Sequence, residues 1–311
     1  MKIFAPNYYE KFRCIAGECR HSCCVGWDVY IDEETQEKYK TMGGNAGERV
    51  RSHLCEKEDG VCFEMREGGR CPMLNESGLC DIILEKGEGF ISEICREHPR
   101  FYNFFGDHAE AGLGLSCEEA ARIILSQEGE TELIPIAENE FEEEDLWADE
   151  AYILHKRKKI FAILQERSKS IDERAAQMLA ESGAHFPEKS MREWAETLRS
   201  LEMLDVAWGE ALAALENGEN ADMPEFERAF EKLLLYFIYR HTPEAADEQN
   251  FAARVCFAYL GFAVIRALCA AKKAKAGKCT FAELCDFARR YSAEIEYSIE
   301  NTNTLIAIME E

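Results

Sequence analysis

Apolar positions in the second half of the chain recur at helical spacing. Tyr152, Ile153, Ile160, Phe161 and Leu164 predict a helix that begins near Leu146, and Leu198, Leu201, Leu204 and Trp208 predict a second. Phe226, Phe230, Leu233, Leu234 and Phe237 give a third after Pro224. Phe251 to Leu268 is a fourth, apolar nearly all round, and a fifth runs from about Phe281 to Ser298. Each stripe reads as core packing, and no segment alternates strand and helix around a glycine-rich turn as a nucleotide-binding sheet does. Before residue 125 this periodicity is missing, and short irregular segments carry glycines at Gly43-Gly44, Gly68-Gly69 and Gly87 to Gly89. Between the two regions lies an acidic run, Glu128 to Glu150, without Lys or Arg; it includes Glu142-Glu143-Glu144-Asp145 and is broken by Pro135. It reads as a solvated connector. The expected fold is mainly α: a small irregular cysteine-rich metal-binding domain over residues 1–127, followed by an all-α helical domain over residues 128–311. There is no internal repeat.

Composition sharpens this picture at three points. With 311 residues and 47% hydrophobic content the chain can bury a real core. The N-terminus is polar by Asn7 and shows no apolar segment leading to a small-residue cleavage site, so a cytoplasmic location is expected. Val255 to Ala271 contains Arg266 and falls short of the ~20 apolar residues a bilayer span needs, so a buried helix is expected and no membrane contact. A net charge of −24 argues against a nucleic-acid partner, whose phosphates call for clustered Lys and Arg. A lysine-bearing partner fits that charge, although solubility alone also accounts for it.

Fourteen cysteines are many for a reducing compartment, and ten of them lie at or before Cys117. The later four, Cys256, Cys269, Cys279 and Cys285, sit at mostly helical, apolar-flanked positions and read as buried thiols. The early groups are Cys14-x4-Cys19-x3-Cys23-Cys24, then Cys71 with Cys80, Cys95 and Cys117. Thiolates a few residues apart can converge on one metal, and distant pairs complete its shell and lock the domain. Eight such cysteines exceed one mononuclear site. Neighbouring side chains diverge, so the adjacent Cys23 and Cys24 suit a cluster of several irons, or two sites, better than one tetrahedral zinc. A four-cysteine zinc site remains the alternative. His21 and His98 lie inside these groups, as ligands, as partners of ligands, or as ordinary loop residues. Trp27 reads as a cover that keeps water from the centre, and Arg100 as an offset to thiolate charge.

Beyond these spacings, the sequence resembles the flagellin lysine N-methylase family, within a wider group of zinc- or iron-chelating cysteine-cluster proteins. The resemblance rests on Tyr8-Tyr9-x-x-Phe12-x-Cys14, Cys19-x3-Cys23-Cys24-x-x-Trp27, Cys71-Pro-Met-Leu with Cys80, Cys95-x-x-His98-Pro-Arg100 and Ser116-Cys117 through Arg122. Two further motifs carry it in the helical half: Tyr236-x-x-Tyr239-Arg240-His241 and Tyr291 through Asn301. It implies methyl transfer from S-adenosylmethionine to lysines of flagellin, with a 4Fe-4S cluster. No glycine-rich nucleotide fingerprint and no Cys-x3-Cys-x2-Cys radical motif accompanies it, so spacing does not place the donor site. A lysine ammonium must lose its proton before it attacks a methyl group, and Glu294, Glu296 and Tyr297 are the candidates to take or orient it. The competing expectation is a metal-handling or redox-sensing module without methyltransferase activity.

Overall fold

The computed structural model describes residues 1–139, 144–217 and 223–311. Glu142 and Glu143 of the acidic run lie outside the described residues. Among these the strands are β1 (Lys2–Pro6), β2 (Leu54–Lys57), β3 (Gly60–Phe63), β4 (Arg100–Phe104), β5 (His108–Leu113) and β6 (Leu133–Glu138). The helices are α1 (Glu33–Thr41), α2 (Gly44–Ser52), α3 (Asp81–Lys86), α4 (Glu93–Glu97), α5 (Glu118–Leu125), α6 (Ala148–Leu164), α7 (Ile171–Ser182), α8 (Met191–Arg199), α9 (Val206–Ala213), α10 (Glu227–His241), α11 (Glu248–Ala276), α12 (Phe281–Tyr291) and α13 (Ile299–Glu310). Contacts divide the chain into one unit of Arg13–Phe101 and another that joins Met1–Phe12 to Tyr102–Glu311.

The smaller unit is built from short pieces around a modest core that includes Val29, Tyr39, Val50, Phe63 and Met73. Strands β2 and β3 form an antiparallel hairpin in which Cys55 faces Cys62, and the backbone of Val29 and Ile31 extends it through hydrogen bonds to Phe63 and Val61. One carboxylate serves two helices here: Asp32 accepts from the Thr35 amide at 2.9 Å to cap α1 and from the Glu93 amide at 2.8 Å in the first turn of α4.

The larger unit is mainly helical but not all-α, which corrects the expectation. Four strands form a sheet in the order β4-β5-β1-β6. Strand β1 runs parallel to β5, with Lys2 opposite His108, and antiparallel to β6. Pro135, expected to break a connector, sits inside β6; that strand pairs only with β1, so the missing N–H disrupts no central ladder, and the register slips between Ile3 and Phe4 beside it. Buried Glu110 of β5 is gripped by both terminal nitrogens of Arg157, which ties α6 to the sheet.

The centre of the helical layer is α11, whose buried face carries Phe251, Val255, Phe257, Leu260, Val264 and Leu268. It is long and apolar enough to cross a membrane by length and composition, yet 72% of its most apolar window is buried inside the protein, and it serves as the core helix. It packs against α10, α12, α13 and α7. Gly261 allows close approach of α10 and α12, since a Cβ there would lie 2.8 Å from the Phe237 ring and 3.1 Å from that of Tyr291. The third, fourth and fifth expected helices correspond to α10, α11 and α12. Thr280 and Glu283 form a reciprocal capping box that starts α12, and Ser170 with Glu173 does the same for α7. The second expected helix is in fact two, because Asp205 caps α9 by accepting from the Ala207 amide, leaving Ser200 to Asp205 as a loop.

Candidate functional site

The fifth periodic stripe does not end as an ordinary helix. After Tyr291, α12 widens into a π-helical turn, Ser292–Glu296, before Ser298 caps α13 through the Asn301 amide. Such turns are rare and frequent at functional sites, because the extra residue per turn redirects the side chains that follow. Here the turn sends Glu296 inward, where α10 ends. The Tyr236 hydroxyl donates to Glu296 at 3.0 Å, His241 Nε2 lies 2.5 Å from Oε1, and Arg240 Nε lies 3.1 Å from it. The two sequence motifs of the helical half thus meet on one carboxylate, itself 0% exposed.

Electrostatics fix the protonation states. Burial pushes the Glu296 carboxyl up, but Arg240 and His241 outweigh it and hold the group below its usual value. Burial also pushes His241 below its usual value, against the pull of Glu296. The consistent state is a neutral imidazole donating its Nε2 proton to an ionised carboxylate, which can only accept. Burial raises the Tyr236 phenol well above its ordinary value, so it stays a donor to Glu296 while its oxygen accepts from the Leu115 amide at 3.2 Å. Tyr291 and Ser292 are buried beside this network; Ser292 adds to the groups that hold the Glu296 carboxyl below its usual value, and the Tyr291 hydroxyl oxygen is without a hydrogen-bond partner among the described residues.

The three proton-handling candidates therefore occupy different surroundings. Glu296 is saturated by the network. Glu294 is buried, which raises its pKa, and it accepts from the Leu204 amide at 2.9 Å, pinning the Ser200–Asp205 loop to the π-turn. Tyr297 is 46% exposed, and the Arg240 guanidinium lies 5.3 Å from its ring centroid. It is the one that solvent reaches. Tyr236, Tyr239, Arg240 and His241 stand in a motif that carries the resemblance. Ser292 had no signal of its own, because its place depends on the π-turn.

Of the eight candidate thiols, seven lie in the unit Arg13–Phe101, and Cys117, at the start of α5, lies in the other. Within the smaller unit Cys24, Cys71, Cys80 and Cys95 gather around one core and feel one another's charge. Burial pushes the thiol of Cys71 up to about 11 and that of Cys95 to about 12, while a hydrogen bond from Cys23 draws Cys24 down to about 6. Cys14 is exposed, and Cys19 and Cys23 are partly buried. The Trp27 indole donates to the Cys23 carbonyl and its ring lies 6.2 Å from that of His98, whose pKa burial lowers to about 4. Among the described residues no three His, Cys, Asp or Glu side chains stand together as a ready metal cage.

Comparison with known proteins gives one match that lies in the larger unit and two whole-protein relatives. Residues 110–311 match the family described as the FliB lysine N-methylase C-terminal domain. Two lysine-N-methylases, from Salmonella choleraesuis (strain SC-B67) and Salmonella typhimurium (strain LT2), are each 28% identical to this chain over 130 residues. That stretch covers 40% of this chain and 32% of each relative. No solved structure matches. The matched region contains the whole of the Glu296 network, from Leu115 through α10 to the π-turn, and with two-thirds of its length inside the family the chain belongs to the FliB lysine N-methylases.

Proposed function

We propose that this protein transfers methyl groups from S-adenosylmethionine to lysine side chains of a flagellin in the cytoplasm. The observation that carries the reading is the meeting of the Tyr236–His241 and Tyr291–Asn301 motifs on buried Glu296, with Tyr297 left open to solvent. In the reaction the lysine ε-nitrogen forms a bond to the methyl carbon, the carbon–sulfur bond breaks, and its electron pair leaves with S-adenosylhomocysteine. A proton must depart from an ammonium whose ordinary pKa is about 10.4. Tyr297 is the group an incoming amine can touch: its oxygen accepts a hydrogen bond that orients the nitrogen, and the ammonium proton passes beside it to solvent water. Glu296 acts through others: it fixes Arg240 beneath the Tyr297 ring, and Tyr236 and His241 hold Glu296. Glu294 keeps the neighbouring loop in place.

The smaller unit is rich in thiols whose chemistry suits an iron–sulfur cluster; Cys24, Cys71, Cys80 and Cys95, which share one core without standing together as a ready cage, are the residues that would hold it. A cluster bound there would knit the loops of this unit together and would supply an iron able to take amino and carboxylate ligands. The same thiols also suit zinc, which keeps the metal-handling reading alive.

The test is protein purified without oxygen, assayed for iron and acid-labile sulfide, then given S-adenosylmethionine and flagellin. Lysine peptides should gain mass in methyl steps. Tyr297→Phe should lower kcat by roughly 10²-fold, the low end for a lost proton-handling group, with metal content unchanged. Colourless protein with stoichiometric zinc would reject the cluster. Intact cluster without methyl transfer to several flagellins would favour the metal-handling module.

A further inference from the structure

Large apolar side chains are rarely left in the open together without a use. Of twelve exposed ones among the described residues, five lie in two short segments: Met203 (43%), Leu204 (52%) and Val206 (79%) in one, Tyr297 (46%) and Ile299 (81%) in the other. These segments are stitched side by side. Glu202 and Asn301 exchange hydrogen bonds, from the Glu202 amide at 3.0 Å and from Asn301 Nδ2 at 2.9 Å. Ser298 donates to the Glu202 carboxylate at 2.9 Å, and Glu294 accepts from the Leu204 amide at 2.9 Å. The result is one held face, so a partner that covers it meets little ordering cost.

Its charge says which partner. The sequence has no Lys or Arg from residue 200 to residue 227, nor any after Arg290, while Glu202, Asp205, Glu210 and Glu300 are exposed. Arg240, beneath Tyr297, is paired with Glu296. An apolar face with an acidic rim repels phosphate, and a second copy of a chain of net charge −24 would bring like charge against it. A basic segment satisfies both features.

We infer that this face docks a lysine-bearing segment of the protein substrate, its apolar side chains on Leu204, Val206 and Ile299 and a lysine at the acidic rim beside Tyr297. The inference rests on the methylase reading and names the substrate surface for it. Val206 and Ile299 are nearly fully exposed, so a double change to lysine, Val206→Lys with Ile299→Lys, leaves the fold intact, which circular dichroism and Tm confirm. Leu84→Lys with Trp147→Lys, at exposed apolar positions elsewhere (59% and 70%), controls for added charge.

Two probes are used with full-length, anaerobically purified protein: flagellin monomer in the methylation assay, and a labelled synthetic peptide with one lysine between leucines, read by fluorescence anisotropy. The face variant should raise KM for flagellin about tenfold, as loss of central interface residues does, with kcat within about twofold. Peptide binding should weaken by a similar factor, and in the wild type by added salt; the control variant should match the wild type. Wild-type turnover with unchanged KM and peptide affinity in the face variant overturns the docking site. If no flagellin is methylated yet peptide binding falls only in the face variant, the methylase reading fails and the docking site stands. A wild-type dimer by light scattering that the face variant splits assigns the face to self-association and also overturns the proposal.

Discussion

Glu296→Gln tests whether the buried network stabilises the fold as its geometry requires. The wild-type carboxylate is fully buried and accepts from Tyr236, His241 and Arg240, all donors. Glutamine keeps the shape but removes the charge and turns one oxygen into a donor, which then faces a donor. Arg240 is left buried beside a neutral group. Removing one partner of a buried ion pair costs about 3–5 kcal/mol, and urea unfolding at pH 7 should show a loss of that size. The pH dependence of the gap follows from the depressed Glu296 pKa, since the fall of His241 comes from burial and is common to both proteins. The unfolded carboxyl protonates first, at about 4.3, so its contribution is complete above that value and declines as the pH falls through the folded one. The gap between wild type and Glu296→Gln should therefore persist at neutral pH and close in acid. A loss below about 1 kcal/mol at pH 7, or a gap that does not narrow on acidification, refutes the reasoning. Should the single variant fail to fold, Arg240→Met combined with Glu296→Gln should recover part of the loss, since the pair is then removed together.

Gly261→Ala should cost about 1–3 kcal/mol by thermal or urea unfolding, because its methyl group would stand 2.8 Å from the Phe237 ring in a close-packed core. Cys24→Ser or Cys71→Ser should abolish iron and sulfide loading, measured after anaerobic purification, whereas Cys256→Ser, in the core of α11, should retain both. Equal loss from the two classes would mean that the thiols are wrongly assigned.

How much was legible in the sequence depended on which force shaped each element. Long helices such as α10 and α11 bury wide apolar faces, and their periodicity stands in the residue order. The sheet was not legible. Strand β5 reads His-Ala-Glu-Ala-Gly-Leu, with small residues and a buried glutamate whose partner, Arg157, lies 47 positions away, and β6 contains a proline that only an edge position tolerates. Leu201 and Leu204 matched a helical period, but the loop there is dictated by Asp205 as a cap and by Glu294 and Asn301 reaching across from the far end of the chain. At the candidate site the parts were visible and the assembly was not. Tyr236, Arg240, His241 and Glu296 were all in motifs, yet their convergence depends on a π-turn for which no residue type is diagnostic.

The interleaving of the sheet has a consequence for how the protein is made and cut. Strand β1 lies between β5 and β6, so the whole of Arg13–Phe101 is threaded into the chain between one strand and its neighbours. During synthesis Lys2–Pro6 must wait about a hundred residues for His108–Leu113 to emerge, and closing so long a loop slows pairing. An expression fragment trimmed to the family match at residue 110 would omit β1 and β4 and cut into β5, leaving β6 and the rest of β5 without the strands they pair with among the described residues, inviting aggregation. Supplying Met1–Phe12 as a separate peptide to a fragment that begins at Tyr102, or fusing it ahead of Tyr102 through a flexible linker, should restore a helical unit that can be studied without its thiol-rich companion.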